Sequence, residues 1–249
     1  MGKFADFAAL HIPGSPVILF NAWDAGSAAA IARGGASAIA TGSWSVAVAH
    51  GFGDGELLPL DLAIANAARI VGAVDLPVTI DFEGGYAAAP DAVAANFAKL
   101  AATGAIGANF EDRLFGGEGL HAPDAQAARI VAAHGATGPD FFINARTDIF
   151  LQAKADTHDA AKADAAIARA HAYAEAGASG FFVPGLVDVA LLERVCRASP
   201  LPVNAMTWPG APTNAQFAAA GVARISHGPG PFRLAMQTIE DAARAIYAG

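Results

Sequence analysis

One cysteine, Cys196, stands among 249 residues, which excludes an internal disulfide framework and any multi-cysteine metal site. Charge is sparse as well: Asp, Glu, Lys and Arg make up 15% of the chain. Its 15 basic residues form no cluster, and against 23 acidic ones they leave a net charge of −8. Nucleic acid and an anionic membrane are therefore set aside as main partners. No stretch approaches the roughly 18 uncharged apolar residues of a membrane span. Met1–Leu10 lacks the basic start and long apolar core of a signal peptide, so the expected location is cytoplasmic.

What is abundant is small. Alanine supplies 65 residues and glycine 27, together more than a third of the chain. With 54% hydrophobic residues, disorder is excluded and close packing of helices and strands is favoured. Short β-branched or aromatic runs recur at Val17–Phe20, Ala38–Gly42, Val78–Glu83, Ala108–Glu111, Phe141–Arg146, Gly180–Pro184, Val203–Thr207 and Ala223–His227. Their mean spacing of about 29 residues is near the ~31 expected of eight βα units in 250 residues. Alanine-rich helical stretches separate them, most clearly Asp159–Ala176 and Pro231–Ala248. Gly35, Gly104, Gly177 and Gly221 each end such a stretch and lead into an apolar run, so one helix-to-strand turn is used four times. The pattern predicts a single domain over residues 1–249, a (β/α)8 barrel, with Phe4–Leu10 as a short helix covering its base.

In such a barrel the active site lies at the C-terminal ends of the strands. The third run ends in Asp81-Phe-Glu83-Gly-Gly-Tyr86, the fourth in Asn109-Phe-Glu111-Asp112 and the fifth in Asn144-Ala-Arg146-Thr-Asp148. Alternation along a strand places Thr79, Asp81 and Glu83 on one face, as it does Asn109 with Glu111, and Asn144 with Arg146 and Asp148. Ile80, Phe82 and Phe110 then face the helices. Clustered carboxylates repel one another unless a cation joins them. Oxygen ligands without cysteine or a histidine cluster suit Mg²⁺ or Mn²⁺. Arg146 either pairs a carboxylate or forks onto that of a substrate. The competing explanation is a buried salt-bridge network that holds no ion.

The ordered set Asn21-Ala-Trp-Asp-Ala-Gly-Ser27, Asp54-Gly-Glu56, Asp81–Tyr86, Phe110-Glu-Asp112, Asn144–Asp148, Val183-Pro-Gly185 and Pro209-Gly-Ala-Pro212 resembles the isocitrate lyase / phosphoenolpyruvate mutase superfamily over nearly the whole chain. The resemblance implies a Mg²⁺-binding barrel that acts on a 2-oxo acid or its enolate. By motif it makes Asp81 the direct metal ligand, with Glu83 and Glu111 holding metal-bound waters. Arg146 becomes the arginine for the substrate carboxylate, cradled also by Gly42, Ser43 and Trp44. Asp54 matches an acid after that loop, and Tyr86 is a candidate proton donor. Asp24 or Ser27 is expected to cap the following helix. The resemblance also implies a homodimer or homotetramer whose subunits exchange their eighth helix.

One departure matters. Isocitrate-lyase-type members carry Lys-Lys-Cys-Gly-His after the fourth strand, where this chain reads Arg113-Leu-Phe-Gly-Gly-Glu-Gly-Leu-His121. Without that cysteine and lysine pair, cleavage of isocitrate or 2-methylisocitrate is not expected. What is expected is a Mg²⁺-dependent lyase of a 2-oxo acid, by C–C cleavage or decarboxylation. The alternatives are a C–C hydrolase, a phosphonate enzyme, or a catalytically silent 2-oxo-acid-binding barrel. Cys196 reads as a core thiol, His227 as either a mouth residue or a plain hydrogen-bonded histidine, and His121 as an exposed loop residue.

Overall fold

The computed structural model describes residues 2–248. Eight strands form one parallel sheet: β1 (Val17–Leu19), β2 (Ile39–Ala40), β3 (Val78–Asp81), β4 (Gly107–Glu111), β5 (Phe142–Arg146), β6 (Gly180–Phe182), β7 (Val203–Met206) and β8 (Arg224–Ser226). From β2 to β8 each strand pairs with its neighbour in sequence, and β1 pairs with β8. The seam between β1 and β2 is bridged by the Ala22 N–H on the Ala40 carbonyl at 2.8 Å. The result is the expected (β/α)8 barrel.

The helices are α1 (Lys3–Ala9), α2 (Ala25–Arg33), α3 (Ser43–Ala49), α4 (Leu60–Ala73), α5 (Pro90–Ala101), α6 (Pro123–Thr137), α7 (Ala160–Glu175), α8 (Val189–Ala198), α9 (Asn214–Ala219) and α10 (Gly230–Tyr247). Their starts follow sequence chemistry. Asp24 caps α2 in a reciprocal box with Ser27, Asp159 and Asp188 cap α7 and α8, and prolines open α5 and α6. The four repeated glycines all adopt left-handed backbone, with φ between 88° and 97°.

Side chains alternate as expected. Ile80, Phe82, Phe97, Phe110 and Ile143 fill the layer between strands and helices. At the N-terminal end of the barrel, α1 inserts Phe7 among Leu19, Ala40 and Phe142, the base plug its sequence suggests. The interior above it is polar: Asn109, Asn144, Asn204, Arg224 and Ser226 are all buried. No helix among the described residues is long and apolar enough to cross a membrane.

Candidate active site

A cavity of about 210 Å³ opens at the C-terminal mouth of the barrel. Gly42, Ser43 and Trp44 from the end of β2 line one side, with Asp54, Asp81 and Arg146 beside them. Asp81 closes β3. Its backbone N–H donates to Thr41 Oγ1 at 2.8 Å, and its Oδ2 accepts the Ser43 N–H at 2.9 Å. Its Oδ1 is buried and has no partner among the described residues. A buried carboxylate oxygen left without a partner is costly unless a cation completes it.

Arg146 closes β5 and is held from two sides. Its Nε and Nη2 fork onto Asp148 at 2.6 and 3.0 Å, and its Nη1 meets Glu111 Oε2 at 2.6 Å. Burial acts to lower this guanidinium, but Glu111 and Asp148, with Asp81, outweigh it and hold it above its ordinary range. Burial presses Glu111 upward against the pull of Arg146, while Asp148, Asp81 and Glu83 add repulsion. Both roles considered for Arg146 are compatible. Three of its five N–H groups are spent on carboxylates, and the side chain still lines the cavity.

Glu83 departs from simple alternation. The strand ends at Asp81, and Glu83 sits in left-handed backbone with φ 48°. Its carboxylate turns to the Asp54–Glu56 segment, where Oε2 accepts the Glu56 N–H at 2.7 Å. Glu56 Oε1 accepts the Tyr86 N–H at 2.6 Å, and the Tyr86 hydroxyl lies 3.5 Å from Glu83 Oε1. Glu56 (φ 62°), Glu83 and Tyr86 (φ 57°) are the positive-φ non-glycine residues of the described chain, and hydrogen bonds join all three. Strain gathered in one clasp at a cleft is a functional signature. Tyr86 thus reaches Glu83 rather than the cavity, and burial, then Glu83, raises its phenol.

Burial lifts the Glu83 carboxyl to about 8; the Glu56 N–H opposes this, and Asp54, Asp81 and Glu56 add repulsion. Asp54 is raised by burial and then by Asp81, against Arg146. Among the described residues no three Asp, Glu, His or Cys side chains close around a point as a complete cage. The donor set still fits a hard cation: one bare carboxylate oxygen on Asp81, with crowded carboxylates behind it.

The sequence profile of the family described as phosphoenolpyruvate phosphomutase matches residues 7–247. The chain belongs to that family. Among the relatives of this chain, the uncharacterized protein Rv1998c of Mycobacterium tuberculosis is 38% identical over 98% of this chain and 89% of its own length. The 2-methylisocitrate lyase of Escherichia coli is 29% identical, covering 79% of this chain and 70% of its own. A crystal structure from Burkholderia cenocepacia, described provisionally as a phosphonomutase, is 51% identical with a TM-score of 0.94, covering 99% of this chain and 98% of that one. Phosphonopyruvate hydrolase in complex with oxalate and Mg²⁺ shares the fold at 21% identity and a TM-score of 0.86, covering 100% and 89%. The superfamily resemblance is therefore confirmed; members of this superfamily are enzymes, lyases among them.

Within this barrel, Asp112 is structural. Its Oδ2 accepts Tyr173 at 2.8 Å and Arg169 at 2.9 Å, and its Oδ1 accepts the Asp148 N–H at 3.1 Å. Asn21 staples three strand ends, donating to the Thr41 carbonyl and accepting the His227 N–H. The His227 ring packs edge-on to Phe20 outside the cavity lining, and His121 stays on its loop. Cys196 is half-buried, its thiol pushed up to about 12 by burial and then by Glu193, which suits a packing role.

Residues 113–121 fold as a small hairpin, bridged between Arg113 and Leu120. Its Phe115 ring fills a notch at Gly84, where an added Cβ would meet the ring at 2.5 Å. Among the lining residues, the sequence placed Asn109 on the inward face of β4 but gave it no role of its own. Arg233, whose guanidinium lies 4.9 Å from the Trp44 ring centroid, escaped sequence reasoning, because it arrives from α10 at the far end of the chain.

Proposed function

We propose that this chain is a Mg²⁺-dependent (or Mn²⁺-dependent) lyase of a 2-oxo acid, acting by C–C cleavage or decarboxylation through an enolate. One juxtaposition carries the reading: Asp81, with its Oδ1 left without a partner among the described residues, and Arg146 line a single cavity. When bound, the divalent ion supplies positive charge to the substrate oxygen on which negative charge develops.

The protein's own groups do the rest. Asp81 is the ligand, with Glu83 and Glu111 holding surrounding waters. Arg146, its plane fixed by Asp148 and Glu111, turns its remaining N–H groups to the substrate carboxylate. Ser43 and Trp44 border the same group, so the breaking bond is aligned with the carbonyl π system. Asp54, with its raised carboxyl facing the cavity, is the candidate proton donor to the enolate, and Tyr86 acts through Glu83. Arg233 at the rim suits a second anionic group on the substrate. The same reading includes a cytoplasmic homodimer or homotetramer with no nucleic-acid or membrane partner.

A screen of 2-oxo acids with Mg²⁺, following pyruvate release, tests the proposal. Turnover with water added to the cleaved fragment would make it a hydrolase. Tight oxalate binding without turnover of any 2-oxo acid would make it a silent binding barrel.

A further inference from the structure

Asn109 lies on β4 level with Asp81 on β3 and Asn144 on β5. Its amide is part of a chain of three whose orientations are fixed from both ends. At one end, Asn204 Nδ2 faces the carbonyls of Ala205 (2.7 Å) and Arg224 (3.1 Å), which only accept. Asn204 Oδ1 therefore faces Asn144, whose Nδ2 donates to it at 3.1 Å and to Asn109 Oδ1 at 2.8 Å. At the other end, Arg224 Nη2 approaches the same Asn109 oxygen at 3.2 Å. A guanidinium only donates, so the atom it faces must be the oxygen. Both anchors give the same answer. The planar amide then turns its NH₂ end away from Arg224 and Asn144. That group has no partner among the described residues, and Asn109 is part of the cavity lining.

Arg224 is fully buried, and its Nε and Nη1 have no partner among the described residues. An apolar side chain of similar length would fill this place at lower cost. Its one side-chain hydrogen bond among the described residues goes to Asn109. The expense makes sense if it aims an amide that works.

We propose that Asn109 is a catalytic residue, donating from Nδ2 to the substrate oxygen next to Asp81 on which charge develops, and that Arg224 is a positioning residue that acts through it. The proposal rests on the 2-oxo-acid reading above. A neutral donor at this place stabilises an oxyanion without competing with Arg146 for the carboxylate.

Oxalate, a planar dianion that resembles the enolate of pyruvate, is the probe. Calorimetry with Mg²⁺ should show at least 100-fold weaker oxalate binding in Asn109→Asp. This variant keeps an acceptor for Arg224 and Asn144, so folding and Mg²⁺ affinity should persist. Arg224→Met should weaken oxalate several-fold, lower kcat more than it raises KM, and add nothing when combined with Asn109→Asp. In the wild-type protein, the Asn109 side-chain NH₂ resonance, identified by its loss in Asn109→Asp, should move downfield when oxalate is added. An Asn109→Asp protein that binds oxalate as wild type does, or an NH₂ resonance that does not move, would overturn the role of Asn109. An Arg224→Met protein that melts earlier but binds oxalate normally would overturn positioning. Wild-type protein that binds no oxalate would overturn the 2-oxo-acid reading itself, and this inference with it.

Discussion

The Ser43 backbone N–H donates to one oxygen of Asp81 at 2.9 Å and leaves the other bare. The bond ties the end of β2 to the end of β3 and points the free Oδ1 in a single direction. Asp81→Ala removes the ligand. Calorimetry should then show Mg²⁺ affinity reduced at least tenfold, whereas equal affinity in variant and wild type would move the metal site elsewhere.

Arg146→Lys should not restore function, because an ammonium cannot satisfy Asp148 in two points, meet Glu111 and still face a substrate. Leaving buried carboxylates short of donors costs about 3–5 kcal/mol when a pair is broken outright. The expected result is a lower Tm together with lost competitive inhibition by oxalate. Wild-type turnover in this variant would reassign carboxylate binding.

Legibility in the sequence followed the range of the interactions. Asp81, Glu111 and Arg146 were visible because two-residue alternation and strand ends are local facts. Glu83 was read as the end of the third strand but lies just beyond β3, where its left-handed backbone swings its carboxylate to Glu56. The double pairing of Arg146 needed the register of β4 against β5. The orientation of Asn109 depends on Arg224, 115 positions away, and Arg233 reaches the cavity from the last helix. No periodicity encodes such contacts.

The hairpin at residues 113–121 should close more firmly over a filled site. Its three glycines, Gly116, Gly117 and Gly119, keep it pliable, and Phe115 in the Gly84 notch provides its seat. Trypsin cleavage at Arg113 should slow when Mg²⁺ and oxalate are added. Gly84→Ala, which evicts the ring, should cancel that protection. Equal cleavage with and without ligand would count against closure.

His11 gives the fold a pH dependence separate from the site. Burial, then the Arg224 charge, lowers its imidazole to about 3, against the Phe7 carbonyl that accepts from Nδ1. The unfolded chain binds this proton near pH 6.5 and the folded one does not. The stability contribution is therefore complete above about pH 6.5 and is lost as pH falls toward 3, with a slope of at most about 1.4 kcal/mol per unit. His11→Phe, which keeps the aromatic stack on Phe142, should flatten Tm between pH 4 and 6.5. An unchanged slope would assign acid sensitivity to another group.

Assembly is the last prediction, and it starts from α10. Phe232 is anchored edge-on to Trp23 and Trp44, but from Arg233 to Ala248 no residue of this helix is buried. Leu234, Ile239 and Ile246 are 62%, 61% and 75% exposed, too much apolar area for a helix meant to face water. Meanwhile Ile18 and Phe20 on the outer face of β1 lie half-exposed in a groove floored by Ala30, Ile31 and Gly34. A barrel helix would ordinarily cover that groove. The two surfaces match if α10 of one subunit covers the β1 groove of another and the exchange is returned, which closes a two-fold dimer. A protein ending after Arg233 keeps the Phe232 anchor and should run as a monomer on a sizing column. Ile18→Glu, on the groove side, should have the same effect without touching the helix. If either protein stays dimeric, the exchange is wrong and α10 must cover a surface of its own barrel.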